Sequence, residues 1–196
     1  MRYRPEHKAK TRARIVAEAS RLFRRRGYEG VGIDRIMAAA KLTHGGFYGH
    51  FRSKAELFVA VLRGEHDFID RLRRRPGRSR SALTEQAIDV VGGYLDPANR
   101  ERVGRGCSLA ALSVDVGRAE PAAQAAYAAT VRELVAEFER GLEKAEREDP
   151  RALASAALCV GGLLLARGMG RDDLAPKLLA ACRAETARLL RQPTAA

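Results

Sequence analysis

The sequence predicts an all-α protein, a three-helix helix-turn-helix head on a body of five or six helices. Three observations predict it. Apolar residues recur at helical spacing along nearly the whole 196-residue chain, and no stretch alternates apolar and polar long enough for a strand. Charge is lopsided: 21 Lys and Arg face 8 Asp and Glu up to residue 80, against 15 and 16 beyond it. Finally, "KLTHGGFYGHF" (residues 41–51) packs three glycines and two histidines between two helical patterns.

The first helix runs from about Pro5 to Arg26, with Ile15, Ala19, Leu22 and Phe23 on one face. Gly27 suits its left-handed C-terminal cap, and Arg24 to Arg26 read as a solvated helix end. After "YEGVG", the short helix "IDRIMAAA" buries Ile33, Ile36 and Met37. Lys41 and Leu42 make a turn, and Thr43 is placed to cap the next helix, "HGGFYGHF". "SKAE" is a capping box, in which Ser53 accepts from the amide of Glu56 while Glu56 reaches back. One helix from there carries Leu57, Phe58, Val61, Leu62, Phe68 and Leu72, until "RRRPGRSR" (residues 73–80) breaks it as a solvated loop.

A fifth helix spans about Ala82 to Leu95, and "CSLAALSVDV" is a short one. Pro121 opens a long helix striped with Tyr127, Val131, Leu134, Phe138 and Leu142. Asp149-Pro150 is a cap followed by proline at the first helical position. The helix it starts contains the longest apolar run, Leu153 to Ala166, shorter than the ~18 residues of a membrane span. Asp172 caps a last helix with Leu174, Leu178, Cys182 and Leu189 on one side.

Composition bounds the function. The basic, polar start lacks a signal-peptide layout, and the cysteines, Cys107, Cys159 and Cys182, suggest neither a disulfide framework nor a zinc site. A cytoplasmic protein without a membrane partner is expected. The excess charge at one end points to a module that meets a polyanion, or to a solvated basic face. His44 and His50, six residues apart, lack a metal-ligand spacing on one helix, so no metal is expected. An enzyme has little support: there is no GxxxxGK[ST], no HExxH, and all four histidines lie in the first 66 residues.

Two short helices joined by a tight turn and packed on a longer one make a helix-turn-helix, whose second short helix enters a major groove. That explains glycines that each weaken a helix by roughly 1 kcal/mol. Without a β-carbon at Gly45 and Gly46, the helix start can lie close to DNA. Phe47 and Phe51 face inward, while Tyr48 and His50 project toward the sugar-phosphate edge.

"GYEGVGIDRIMAAAKLTHGGFYGHFRSKAELF" resembles the DNA-binding head of TetR-type transcriptional regulators, which read G-[FY]-x-G-[TV], a short helix, then S/T-x-G-x-[FL]-Y-x-[HY]-F-x-x-K-x-x-L. The matching positions are Gly27, Tyr28, Gly30, Ile33, Ile36, Ala40, Thr43, Gly45, Phe47, Tyr48, His50, Phe51, Lys54 and Leu57. Two departures stand out. Lys41 replaces the usual turn glycine, implying a non-glycine residue in a left-handed or bridging conformation. Gly32 replaces the usual hydroxyl cap of the second helix.

The resemblance implies a DNA-binding head in residues 1–53 and an effector-binding and dimerisation body in residues 54–196. It places Thr43, His44, Gly45 and Gly46 against bases, and Tyr48, His50 and Lys54 against phosphates of double-stranded DNA. Arg2 and Arg4 form a minor-groove arm or are disordered. The expected protein is a repressor, a homodimer through its last two helices on a pseudo-palindromic operator, without a cofactor. The alternative is a non-specific DNA-coating protein. Gly161 and Gly162, beside Ala157 and Ala166, let a helix approach closely, in a second copy or within the chain. An effector pocket would draw on Tyr94, Tyr127 and Phe138, suiting a mostly apolar molecule. Cys107, at a helix start beside Arg105, reads as a thiol switch or as a small buried apolar residue. Cys159 and Cys182 read as core.

Overall fold

The structure, a computed structural model, describes residues 5–64, 66–74, 79–143 and 147–192, with the side chains of Pro5 and Arg105 left aside. The expectations for Arg2, Arg4, Arg75 and Arg78 fall outside the described residues. Ten α-helices and no strand occur among the described residues. They fall into two compact units, residues 1–64 with 103–128, and residues 65–102 with 129–196.

In the first unit, α1 (Pro5–Arg26) ends at Gly27, whose φ of 73° is the expected left-handed cap. Gly30 is glycine for another reason: a β-carbon there would lie 2.3 Å from the Arg26 carbonyl oxygen. Helix α2 (Ile33–Ala39) starts at Gly32 without a side-chain cap, and Lys41 takes the left-handed turn at φ 55°. A lysine there accepts a cost that glycine avoids. Next comes the 3-10 segment His44–Gly49, then α3 (Lys54–Leu62). Ser53 accepts from the Glu56 amide at 3.1 Å, and Glu56 reaches back to accept from the Arg52 N–H at 2.7 Å, one residue before the N-cap amide that a capping box pairs.

The long helix expected through Leu72 is in fact two. Helix α3 stops at Leu62, and α4 (Asp67–Arg73) begins in the second unit. Gly64 lies in the interruption, its amide bonded to the Val61 carbonyl in a tighter turn. Apolar spacing ran on across the break and concealed it.

Residues 103–128 complete the first unit. They hold a 3-10 turn (Val103–Arg105) and α7 (Ser108–Gly117), preceded by α5 (Arg80–Tyr94) and α6 (Ala98–Glu101) of the other unit. Leu112, Val116, Ala123 and Ala126 share one core with Ile15, Phe23, Ile36, Phe47 and Phe58. Arg24 is not the solvated end expected. Its guanidinium donates to the Gly104 carbonyl at 2.9 Å and to Ser108 Oγ at 3.0 Å. The Tyr28 amide donates to Asp115 Oδ1 at 3.0 Å, a second tie between head and α7.

The second unit contains α4, α5, α6, the later part of α8 (Pro121–Glu139), α9 (Pro150–Gly168) and α10 (Leu174–Arg191). Asp149 caps α9, accepting from the Arg151 amide at 2.9 Å. Asp172 accepts from the Leu174 amide at 2.8 Å at the start of α10. By length and composition α9 is apolar enough to cross a membrane, longer than the run read from sequence. It packs along α10, burying Ala152, Cys159, Leu163 and Ala166. Gly162 serves this packing within the chain: a β-carbon there would lie 2.8 Å from Cys182 Sγ. Gly161, one residue away, has open space. Cys159 and Cys182 are buried as expected, and burial pushes the Cys182 thiol upward.

Candidate nucleic-acid interface

The 3-10 segment is anchored from beneath. Phe47 is fully buried and Phe51 nearly so, their rings 5.7 Å apart. Between them Tyr48 turns outward with 61% of its surface exposed. Its ring lies edge-on to Phe47 at 5.4 Å and tilted to His44 at 5.9 Å. The segment thus presents one polar aromatic on a surface otherwise almost bare.

That bareness has no internal cause at Gly45. A β-carbon there, or at Gly49, would meet nothing within 4 Å, and neither backbone is left-handed. At Gly46 it would meet only Met37 Cε and Thr43 Oγ1, both at an ordinary 3.7 Å. The fold would accept side chains at all three positions.

Thr43 occupies the N-cap position, exposed, yet its side chain makes no capping bond. The expected capping role is corrected: with extended backbone at Thr43 and a 3-10 turn following, the Gly46 amide bonds to the Thr43 carbonyl instead. The hydroxyl is left available to a ligand. His44 is exposed, and its Nδ1 is paired with the Asp34 carboxylate from the first turn of α2. Sequence reasoning missed Asp34, ten residues away on another helix.

His50 is half-buried, with Nδ1 shut from solvent and without a hydrogen-bond partner. Its pKa is held below the ordinary imidazole value, first by burial and then by the positive charge of Lys8, Arg12 and His7 on α1. Lys54 is placed at the first position of α3, Nζ 4.1 Å from the Tyr28 ring centroid and 4.0 Å from Glu29 Oε2. Tyr28 packs in turn, tilted, against Phe23 and Phe58. No pattern along the sequence pairs Lys54 with Tyr28.

The residues expected to line an effector site divide between the units. In the second, Tyr94 stacks on Phe68 with centroids 3.8 Å apart, and Phe138 meets Phe68 edge-on at 6.3 Å. In the first, Tyr127 donates its hydroxyl to the Leu109 carbonyl at 2.8 Å. Burial raises its pKa, and the nearby Cys107 adds to that. Cys107 is partly buried at the N-cap of α7, beside the Ser108 hydroxyl that Arg24 engages.

The family model of bacterial regulatory proteins of the tetR family matches residues 15–61, the stretch holding α2, the 3-10 segment and α3. Over that stretch the chain is similar to the TetR family. Among curated TetR-family relatives, the transcriptional regulator TtgR of Pseudomonas putida is 34% identical over 87 residues, 44% of this chain and 39% of TtgR. The repressor NemR of Escherichia coli is 30% identical over 86 residues, 44% of this chain and 38% of NemR. The chain thus spans about two-fifths of the length of the curated relatives it matches. Solved structures extend the likeness in fold. The reduced form of E. coli NemR gives a TM-score of 0.76 at 21% identity, covering 95% of this chain and all of that one. A TetR regulator from Chloroflexus aurantiacus gives 0.72 at 24% identity, covering 96% and 98%.

Proposed function

We propose that this chain is a sequence-specific DNA-binding transcriptional regulator, a cytoplasmic repressor that leaves its operator when an effector binds. The observation that carries this reading is the bare tip. Gly45 and Gly49 accept the cost of glycine although nothing inside the protein requires it. A surface that must be approached closely from outside supplies the missing reason. The head's excess of basic residues gives a polyanion as the approaching body.

Thr43 and His44 read base edges, with Gly45 and Gly46 letting the backbone approach. Few side chains remain for direct readout, so DNA shape contributes. Tyr48, His50 and Lys54 grip phosphates, which position the protein without specifying sequence. The 4.0 Å approach of Lys54 to the exposed Glu29 is a weak surface pair that a phosphate displaces. In functional terms residues 1–53 serve DNA and residues 54–196 serve effector and dimer.

A homodimer through α9 and α10 would set two reading segments on a pseudo-palindromic operator. Exposed leucines on these helices support it, with Leu165 at 56% and Leu174 at 52% exposure. Phe68, Tyr94 and Phe138, gathered within the second unit, suit a mostly apolar effector. The relatives named above are regulators, which agrees with a non-enzymatic role. The rival reading, a non-specific coat using Arg73 to Arg80, loses support at Arg73, which is bonded to Glu133 at 2.7 Å and to Glu137 at 3.3 Å.

Competition binding tests the reading. A duplex selected from random sequence by the protein should resist a large excess of random DNA at moderate salt. Thr43→Ala should relax sequence preference, costing roughly 1–3 kcal/mol at one position. Lys54→Ala should weaken all duplexes together and flatten the salt slope by about one. Identical behaviour of the two variants would reject the division of roles.

Thiol modification at Cys107 is the second route to release. The tie from Arg24 to Gly104 and Ser108, on either side of Cys107, supports it, because that tie reaches the head directly. A 100-fold loss of DNA affinity needs about 2.7 kcal/mol of coupling. Mild oxidant should release the wild-type protein from DNA and leave Cys107→Ser bound; equal release would remove Cys107 as the switch.

A further inference from the structure

We propose that Lys8 and Arg12 of α1 join His50 to form a separate cradle for one backbone phosphate, on the α1 side of the bare tip. This rests on the DNA-binding reading above and adds two residues and a proton to it.

The geometry begins with spacing. Lys8 and Arg12 are one helical turn apart, so they share a face of α1, and both are exposed. Arg12 is held in place: its guanidinium carbon lies 4.5 Å from the Phe51 ring centroid. A cation over an aromatic face is attracted to the ring, which biases the Arg12 side chain toward the residue next to His50. The ring of His50 completes the cluster, with its buried Nδ1 lacking a partner.

The charges acting on that ring all repel a proton: Lys8, Arg12 and the neighbouring His7, all on α1. Positive groups converging on one ring destabilise one another, and an anion removes that repulsion. Phosphate oxygens suit the site, because Arg and Lys both donate to them and neither needs a base edge.

Occupancy reverses the local potential, so His50 takes up a proton as phosphate binds. The sign follows directly. In the free protein the ring titrates below its ordinary value, and beside a phosphate it titrates higher. Between those two points the complex holds more protons than the free protein, so DNA affinity rises as pH falls through that window. Above the window affinity is flat.

The test uses the full chain and the duplex it selects from random sequence, with binding followed by fluorescence anisotropy across pH and salt. Wild-type affinity should strengthen toward acid. A Lys8→Gln, Arg12→Gln double variant should bind on the order of tenfold more weakly at moderate salt, with a shallower salt slope. Its pH window should also move upward, because the repulsion on His50 is gone. His50→Gln should lose the pH dependence while keeping its thermal midpoint. By NMR, the His50 ring's titration midpoint should rise when duplex is added and stay put with inorganic phosphate alone. A double variant with the wild-type salt slope and pH profile overturns the cradle and leaves the DNA reading standing. An equal response to inorganic phosphate makes it a generic anion site, against the proposal. A wild-type protein that prefers no duplex removes both.

Discussion

Gly45→Leu should abolish specific DNA binding while leaving the fold intact. The two effects separate because the site is open: a β-carbon at Gly45 meets nothing within 4 Å, and the backbone is not left-handed. Leucine is a better helix former than glycine by roughly 0.5–1 kcal/mol, so the thermal midpoint should hold or rise. At the duplex the same side chain would stand between the backbone and the groove floor. A loss of at least about 100-fold in affinity is expected, equivalent to about 2.7 kcal/mol. Gly45→Ala should show a weaker version of both effects. The measurement is a thermal melt beside competition binding. Undiminished affinity in the leucine variant would mean that the bare tip does not meet DNA.

Phe47→Ala is expected to have the largest effect on stability. Phe47 is fully buried beneath the 3-10 segment, packed with Phe51 into a core shared with α1 and α7. Removing a buried phenylalanine ring costs about 3–5 kcal/mol in lost transfer and cavity formation. Domains have only about 5–15 kcal/mol to lose, so the variant should be marginal and should bind DNA poorly. Tyr48→Ala is the control one residue away. That ring is largely exposed, so its loss should move stability by no more than about 0.5 kcal/mol while still weakening DNA binding. Urea unfolding of the pair decides it. Similar midpoints for the two variants would show that Phe47 does not anchor the segment.

The anchoring was legible in the sequence because it is local. Phe47 and Phe51 are four residues apart, Ser53 caps the helix it precedes, and Gly27 closes α1 at φ 73°. Lys41 at φ 55° was legible too, as the residue standing where the resembled family has a turn glycine. Short-range rules suffice for such features, since caps, turns and periodicity act within a few residues. The break at Gly64 was overlooked because apolar spacing continued on both sides, although the glycine itself was a local sign of a helix end.

By itself, the sequence determined an all-helical chain, a basic head and a glycine tip framed by inward aromatics. Only the tertiary structure decided which side chains meet across the fold. It set Arg24 against Gly104 and Ser108, Asp34 against His44, Lys54 over Tyr28, and Gly162 against Cys182. Such partners sit as far as 84 residues apart along the chain. A contact of that kind forms where packing brings two surfaces together, and its energy appears in neither segment alone.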